Sequence, residues 1–114
     1  MVVSEQTEAR IDADLSEDGD TLTIHVSGYF DFNLHRDFQH AYQNYFPPPK
    51  QYRIDLSETL HIDSAALGML LLLRDHCLGD GDDPGQCTVE LCNANAHVET
   101  ILQVSNFNKL FTIR

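Results

Sequence analysis

The chain has 114 residues and carries 18 acidic side chains against 7 Lys and Arg, a net charge of −11 with His neutral. That length suits a single domain, and 42% hydrophobic residues suffice for a real core, which argues against disorder. The acidic balance excludes nucleic acid and anionic membrane surfaces as natural partners and favours a protein with a basic patch. The longest unbroken apolar run, Met69 to Leu73, is far short of the roughly 20 residues of a membrane span. Residues 1–10 mix Glu5, Glu8 and Arg10 with small polar residues and lack the apolar stretch of a secretory signal, so a cytoplasmic protein is expected.

In chain order, alternation over residues 9–14 (Ala9, Ile11, Ala13 against Arg10, Asp12, Asp14) predicts a strand. The run 16–20, with Asp18-Gly19 at its centre, predicts a tight turn. Residues 21–27 alternate again, Leu22, Ile24 and Val26 on one face, and complete an antiparallel hairpin; Gly28 is expected to let the chain change direction sharply. Asn33 is a candidate cap for a helix over 34–45, with Leu34, Phe38, Ala41, Tyr42 and Tyr45 at helical spacing, and Pro47-Pro48-Pro49 ends it. Residues 51–56 predict a short strand, with a loop over 57–62 before a second helix from Ser64 to Cys77. The Gly- and Asp-rich stretch 79–85 breaks that helix. A strand over Cys87–Leu91, a third helix opened by Asn93 or Asn95, and a closing strand over Leu110–Ile113 follow. The order β-β-α-β-α-β-α-β predicts an α/β fold: a mixed five-stranded sheet, an opening antiparallel hairpin, later strands mostly parallel, helices mainly on one face.

Cys77, Cys87 and Cys92 are odd in number and lack framework spacing; in a reducing compartment they read as free thiols, buried or partly buried. Nothing basic stands out as placed to activate a thiolate. The six histidines include no His-x-x-x-His pair, and no Cys-x-x-Cys occurs, so no metal or other cofactor is expected. Asp80, Asp82 and Asp83 lack the remaining pattern of a calcium loop and read as a solvated connection. Ser64, His61 and Asp55 could suggest a hydrolase, but no Gly-x-Ser-x-Gly elbow is present, and a non-enzymatic chain is expected. An Asp55-based phospho-receiver fails because the chain opens on a hairpin and Lys109 sits in the wrong context.

The segment Ile62-Asp63-Ser64-Ala65-Ala66-Leu67-Gly68, at a strand–loop–helix junction, resembles the signature of STAS domains, in particular the anti-sigma-factor antagonists. It matches at Ile62, Asp63, Ser64, Leu67 and Gly68 and departs at Ala65 and Ala66. Gly28-Tyr29-Phe30-Asp31 is similar to the family's Gly-Glu-Leu-Asp with Tyr29 in place of the acid, and the tail resembles its closing helix and strand with Asn106 where Gly is usual. The resemblance implies that the unmodified chain binds an anti-sigma factor and frees a sigma factor. It also implies that a serine kinase with a histidine-kinase-like ATPase domain phosphorylates Ser64 to abolish binding, and that a PP2C-type phosphatase reverses this. Ser64 suits the role chemically: it lies at the expected helix start, where a phosphate meets unpaired N–H groups and the positive end of the dipole. Asp31 and Asp63 are expected to shape the phosphorylation site, and Ser57, Glu58, Thr59 and His61 on the 57–62 loop, with Ala65, to touch the partner. The helix is apolar almost all round, with Leu67, Leu70 and Leu71 on one arc and Met69, Leu72 and Leu73 largely elsewhere; this fits a central helix flanked by the other two, or a surplus, Met69 and Leu72, that forms a hydrophobic docking surface. The rival within the family is a STAS docking subunit of another assembly, such as a phospholipid ABC transporter or a stress-signalling scaffold, without a serine switch.

Overall fold

A computed structural model describes residues 9–45, 47–78 and 87–114. Strands β1 (Arg10–Leu15) and β2 (Thr21–Phe30) form the hairpin, α1 spans His35–Gln43, and β3 (Gln51–Ile62) leads into α2 (Ser64–Leu78). Then follow β4 (Thr88–Cys92), α3 (Ala96–Val104) and β5 (Thr112–Ile113). The sheet order is β1-β2-β3-β4-β5, with β1 antiparallel to β2 and every later neighbour parallel. Each crossover therefore advances in the same direction across the sheet. Right-handed connections that all advance one way drop their helices on the same face. That face holds the core: Leu22, Ile24 and Val26 from β2, Tyr52, Ile54 and Leu56 from β3, and Val89 and Leu91 from β4 meet Phe38, Tyr42, Leu70, Leu73, Val98 and Leu102. The other face is polar and carries Asp12, Asp14, His25, Arg53 and Asp55.

The hairpin turn forms as expected. Gly19 takes φ +78°, its N–H bonds to the Ser16 carbonyl at 2.9 Å, and the Ser16 hydroxyl donates to Asp18 at 2.6 Å. Gly28 does not turn the chain away. It sits inside β2 at φ +82°, and the strand runs on to Phe30 through register shifts at positions 25–27 and 28–29. The first helix begins later than expected. Asp31, not Asn33, is the capping residue; its carboxylate accepts from the Asn33 N–H at 2.9 Å and opens a 3-10 turn over Phe32–Leu34 ahead of α1. Of the two candidates for α3, Asn95 is the cap, accepting from the Val98 N–H at 2.8 Å. Asn106 has φ 63°, so the position where the resembling family uses Gly requires a left-handed backbone, which Asn tolerates well among non-glycine residues.

The largest departure is β3, which continues through residues 57–62 where a loop is expected. His25 pairs with Asp55 but Ser27 with Glu58, and Gly28 pairs with Thr59 but Tyr29 with His61, so β3 carries two extra residues against β2. Its buried positions are consequently Leu56, Thr59 and Ile62, at a spacing of three rather than two. The bulges erase the period-2 signal that marks a strand.

Two further expectations are corrected. Cys77 and Cys87 are not free thiols; they form a disulfide between the end of α2 and the residue preceding β4, with Cα atoms 5.6 Å apart. A sequence separation of 10 hides a proximity that the α2–β4 packing creates. Cys92 is free and buried, as expected. On α2 the inward stripe is Ala66, Met69, Leu70 and Leu73, whereas Leu71 and Leu72 are exposed. The breaker at 79–85, with Asp80, Asp82 and Asp83, lies outside the described residues, as do residues 1–8. Among the described residues no helix is long and apolar enough to cross a membrane.

Candidate functional site

In open parallel sheets the loops at the carboxyl ends of the strands form the usual site, because helix N-termini converge there. Here β2 and β3 end side by side at Phe30 and Ile62, and the Asp63 N–H reaches back to the Phe30 carbonyl at 3.4 Å. Asp63 then caps α2: its carboxylate accepts from the Ala66 N–H at 2.9 Å, and its carbonyl accepts from the Leu67 N–H at 3.1 Å. Ser64 is therefore the first helical residue and is exposed. Asp63, rather than Ser64, supplies the side-chain cap, and the Ser64 hydroxyl stays exposed. Asp63→Ala should cost about 1 kcal/mol of stability through the lost cap, and Ser64→Ala less than about 0.5 kcal/mol. Urea denaturation of the two variants checks the assignment.

Asn95 braces the rim from α3. Its amide donates to the Thr59 carbonyl at 3.0 Å while its oxygen caps the helix. This places His97 against His61, Nε2 to Nδ1 at 2.8 Å, with ring centroids 5.1 Å apart. Tyr29 lies next in the row, 6.0 Å from the His61 ring. Tyr29 is 51% exposed, Phe32 68% and Leu60 47%. Exposed rings and a leucine near the carboxyl ends of β2 and β3 make a surface suited to a protein partner.

The expected site residues divide accordingly. Asp31, Asp63 and Ser64 sit at the two helix entries, with Ala65 half-buried behind Ser64. Ser57, Glu58 and His61 are partly or fully exposed, but on a bulged strand rather than a loop. Thr59 is not a surface residue: it is fully buried, and its hydroxyl donates to the Val26 carbonyl at 2.7 Å, which bridges the bulge. Met69 is likewise buried in the stripe described above, at 4% exposure. Leu72 is 51% exposed and stays available. Tyr29, Phe32, Leu60 and His97 escaped the sequence analysis. Tyr29 was legible only as the residue replacing the acid in Gly28-Tyr29-Phe30-Asp31, Phe32 carried no signal of its own, and His97 comes near through the Asn95 brace.

On the opposite face of the sheet, His25 of β2 lies between Asp55 of β3 (Nδ1 to Oδ2, 2.8 Å) and Asp14 of β1 (Nε2 to Oδ2, 3.3 Å). Burial pushes the Asp55 carboxyl up, but it is outweighed by hydrogen bonds from the Ser57 N–H, the Asn93 amide, the His25 ring and the Ser57 hydroxyl, which together hold it below the ordinary aspartate value. A depressed carboxyl contributes stability above its unfolded value and loses it as pH falls through the folded one. The Asp55 contribution should thus be intact at neutral pH and vanish at acid pH below the usual carboxylate range. Asp55→Asn should flatten the acid limb of a stability-versus-pH curve measured by urea unfolding. No group of three or more His, Cys, Asp or Glu placed to hold a metal occurs among the described residues.

Comparison with known proteins gives a consistent family. A family model described as Mlab, STAS domain, matches residues 13–112. A STAS-domain containing protein of Pseudomonas aeruginosa (strain UCBPP-PA14) is 45% identical over 98 residues, covering 86% of this chain and 92% of that protein. Among solved structures, an anti-sigma factor antagonist from Mycobacterium paratuberculosis superposes with TM-score 0.74 at 16% identity, over 97% of this chain and 89% of that one. The anti-sigma factor antagonist SpoIIAA in its unphosphorylated form does so with TM-score 0.67 at 13% identity, over 92% and 87%. At these identities the structural likeness is one of fold.

Proposed function

The chain belongs to the STAS-domain family, and from that premise we propose that it is an anti-sigma-factor antagonist whose partner binding is switched by phosphorylation of Ser64. The observation that carries the proposal is the division of labour at α2: Asp63 holds the helix end, so the Ser64 hydroxyl is exposed and can be modified without unpicking the cap. Unmodified protein presents Tyr29, Phe32, Leu60 and Leu72 with the polar rim of Glu58 and His61 to the anti-sigma factor. The kinase carries a histidine-kinase-like ATPase domain, and a PP2C-type phosphatase reverses the modification. A phosphate on Ser64 adds about −1.5 to −2 charges next to the Asp63 carboxylate and close to Asp31. The positive helix end offsets part of this repulsion within the free protein. A docked apolar surface offers no such offset. The site lies in the cytoplasm on this reading, and the role is regulation of sigma-dependent transcription rather than catalysis.

The test is direct. Anti-sigma factor identified by pull-down with the unmodified protein, supplied with ATP, should phosphorylate the chain at Ser64 as mapped by mass spectrometry. Ser64→Ala should take no label and keep binding. A second reading, a STAS docking subunit without a serine switch, is favoured by the Mlab description of the matching family model and by Ala65 and Ala66 in the motif. On that reading Ser64 is never modified and the captured partner belongs to a transporter or scaffold assembly.

A further inference from the structure

His61 and His97 meet edge on. Nδ1 of His61 lies 2.8 Å from Nε2 of His97, while the ring centroids are 5.1 Å apart and the planes 25° from one another, so both nitrogens lie between the rings. A bond of that kind holds one proton: one ring donates an N–H and the other accepts with a lone pair. The contact therefore exists with both rings neutral or with one of them charged. With both charged, two N–H groups face each other and no lone pair remains to accept. His61 is half-buried and His97 exposed, so solvent protons reach the pair. The two rings come from separate parts of the fold. His61 is the penultimate residue of β3, and His97 is the second residue of α3, the crossover from β4 to β5. Asn95 already joins the same two elements through the Thr59 carbonyl at 3.0 Å, and the ring pair is a further tie between them.

The other titratable groups on the elements meeting here are Tyr29 of β2, 6.0 Å from the His61 ring, Glu58 of β3, Asp63 just past its end, and Glu99 of α3. Glu90 of β4 is engaged with Arg53 and Arg114, and Lys109 lies past the far end of α3. Residues 64–73 of α2 contain no ionisable acid, base or His, and no Lys or Arg occurs in β2, in α3 or over residues 54–73. Positive charge at this rim is thus supplied by the two imidazoles themselves.

We propose that the His61–His97 pair is a proton-operated clasp between the end of β3 and the start of α3, closed at neutral pH and opened when acid places a proton on both rings. Imidazole is the side chain whose charge changes between about pH 5 and 8, so the clasp answers to mild acidification. Once both rings are charged, their repulsion and separate hydration part them, and α3 loses one of its ties to β3. Leu60 and Tyr29, which flank His61, then lose a fixed neighbour, and two charges stand where a bonded pair stood. A partner docked there must desolvate both, so binding weakens as pH falls. This last consequence rests on the anti-sigma reading of the site; the clasp itself does not.

The test compares the wild type with His97→Gln, whose amide does not titrate and whose oxygen can accept from His61 in either charge state. In the free protein, NMR of the imidazole nitrogens should show His61 and His97 titrating in two steps that belong to the pair. The amide signals of Thr59–Ile62 and Asn95–Val98 should move with the second step. In His97→Gln, His61 should titrate in a single step at a different midpoint, and those amides should stay in place. Identical titration of His61 in the two proteins would overturn the clasp, whatever the partner proves to be. In calorimetric titrations against the anti-sigma factor captured by the unmodified chain, wild-type affinity should fall at least about tenfold between about pH 7.5 and about pH 5.5. His97→Gln should fall less than about threefold over the same interval, which allows for the other four histidines. Equal losses in the two proteins, with the coupled titration present, would overturn the control of docking.

Discussion

Ser64→Glu should bind the anti-sigma partner at least about thirtyfold more weakly than the unmodified chain, whereas Ser64→Ala should bind as tightly as the parent. Truncation or mispairing of charge in a desolvated interface costs about 2–5 kcal/mol, and 2 kcal/mol corresponds to roughly thirtyfold in Kd. The introduced carboxylate stands at the first turn of α2, where the Ala66 N–H is already taken by Asp63. It therefore has less to gain from the helix end than an anion at an open N-terminus would, and it adds to the charge of Asp63 and Asp31. The proposed docking surface presents apolar groups, with Tyr29, Phe32 and Leu60 all about half exposed or more. Docking a partner over those groups strips water from the new charge without supplying a counter-ion. A true phosphate, with up to twice the charge, should weaken binding further. Calorimetric titration of the three proteins against the partner measures this, and equal affinities would remove the switch while leaving the docking surface in place.

Phe38→Ala should lower stability by about 3–5 kcal/mol, the cost of emptying a fully enclosed aromatic site. Phe38 is 1% exposed; its ring meets Phe30 of β2 at 5.2 Å and Tyr42 of α1 at 5.7 Å between centroids. Tyr42 continues the row to Tyr52 of β3 at 6.4 Å and to His76 of α2 at 5.0 Å. The ring thus joins α1 to the sheet and, through Tyr42, to the helix that carries Ser64. Thermal unfolding should show the midpoint falling by more than roughly 10 °C, since about 4–8 °C accompanies each kcal/mol in a domain near this size. Phe32→Ala serves as the counterpart. At 68% exposure it should leave the midpoint nearly unchanged and weaken partner binding instead. A Phe32 variant that unfolds early would show that the exposed aromatic is structural.

Alternation at Leu22, Ile24 and Val26, the helical spacing of Phe38 and Tyr42, and the Pro run at 47–49 were local signals, and local sterics and burial sufficed to set the hairpin, α1 and the break after it. The succession of strands and helices also fixed the sheet class, because parallel strands need crossovers and crossovers have one hand. The Asp63-Ser64 junction was legible for the same reason: a helix start is written in the few residues around it.

Residues whose roles depend on distant partners were not legible. Thr59 read as a surface position until the bulges in β3 turned it inward to the Val26 carbonyl, 33 residues away in sequence. Met69 and Leu72 were indistinguishable within a run of apolar residues. Only the packing of α2 against the sheet and α1 buried the first and exposed the second. Cys77 and Cys87 looked unrelated because nothing in a ten-residue separation states that a helix end and a strand start meet. Periodicity records what each segment does against a generic core. Which side chains share a surface, a bond or a groove is decided when particular segments pack together, and that information is spread across the chain rather than carried by any stretch of it.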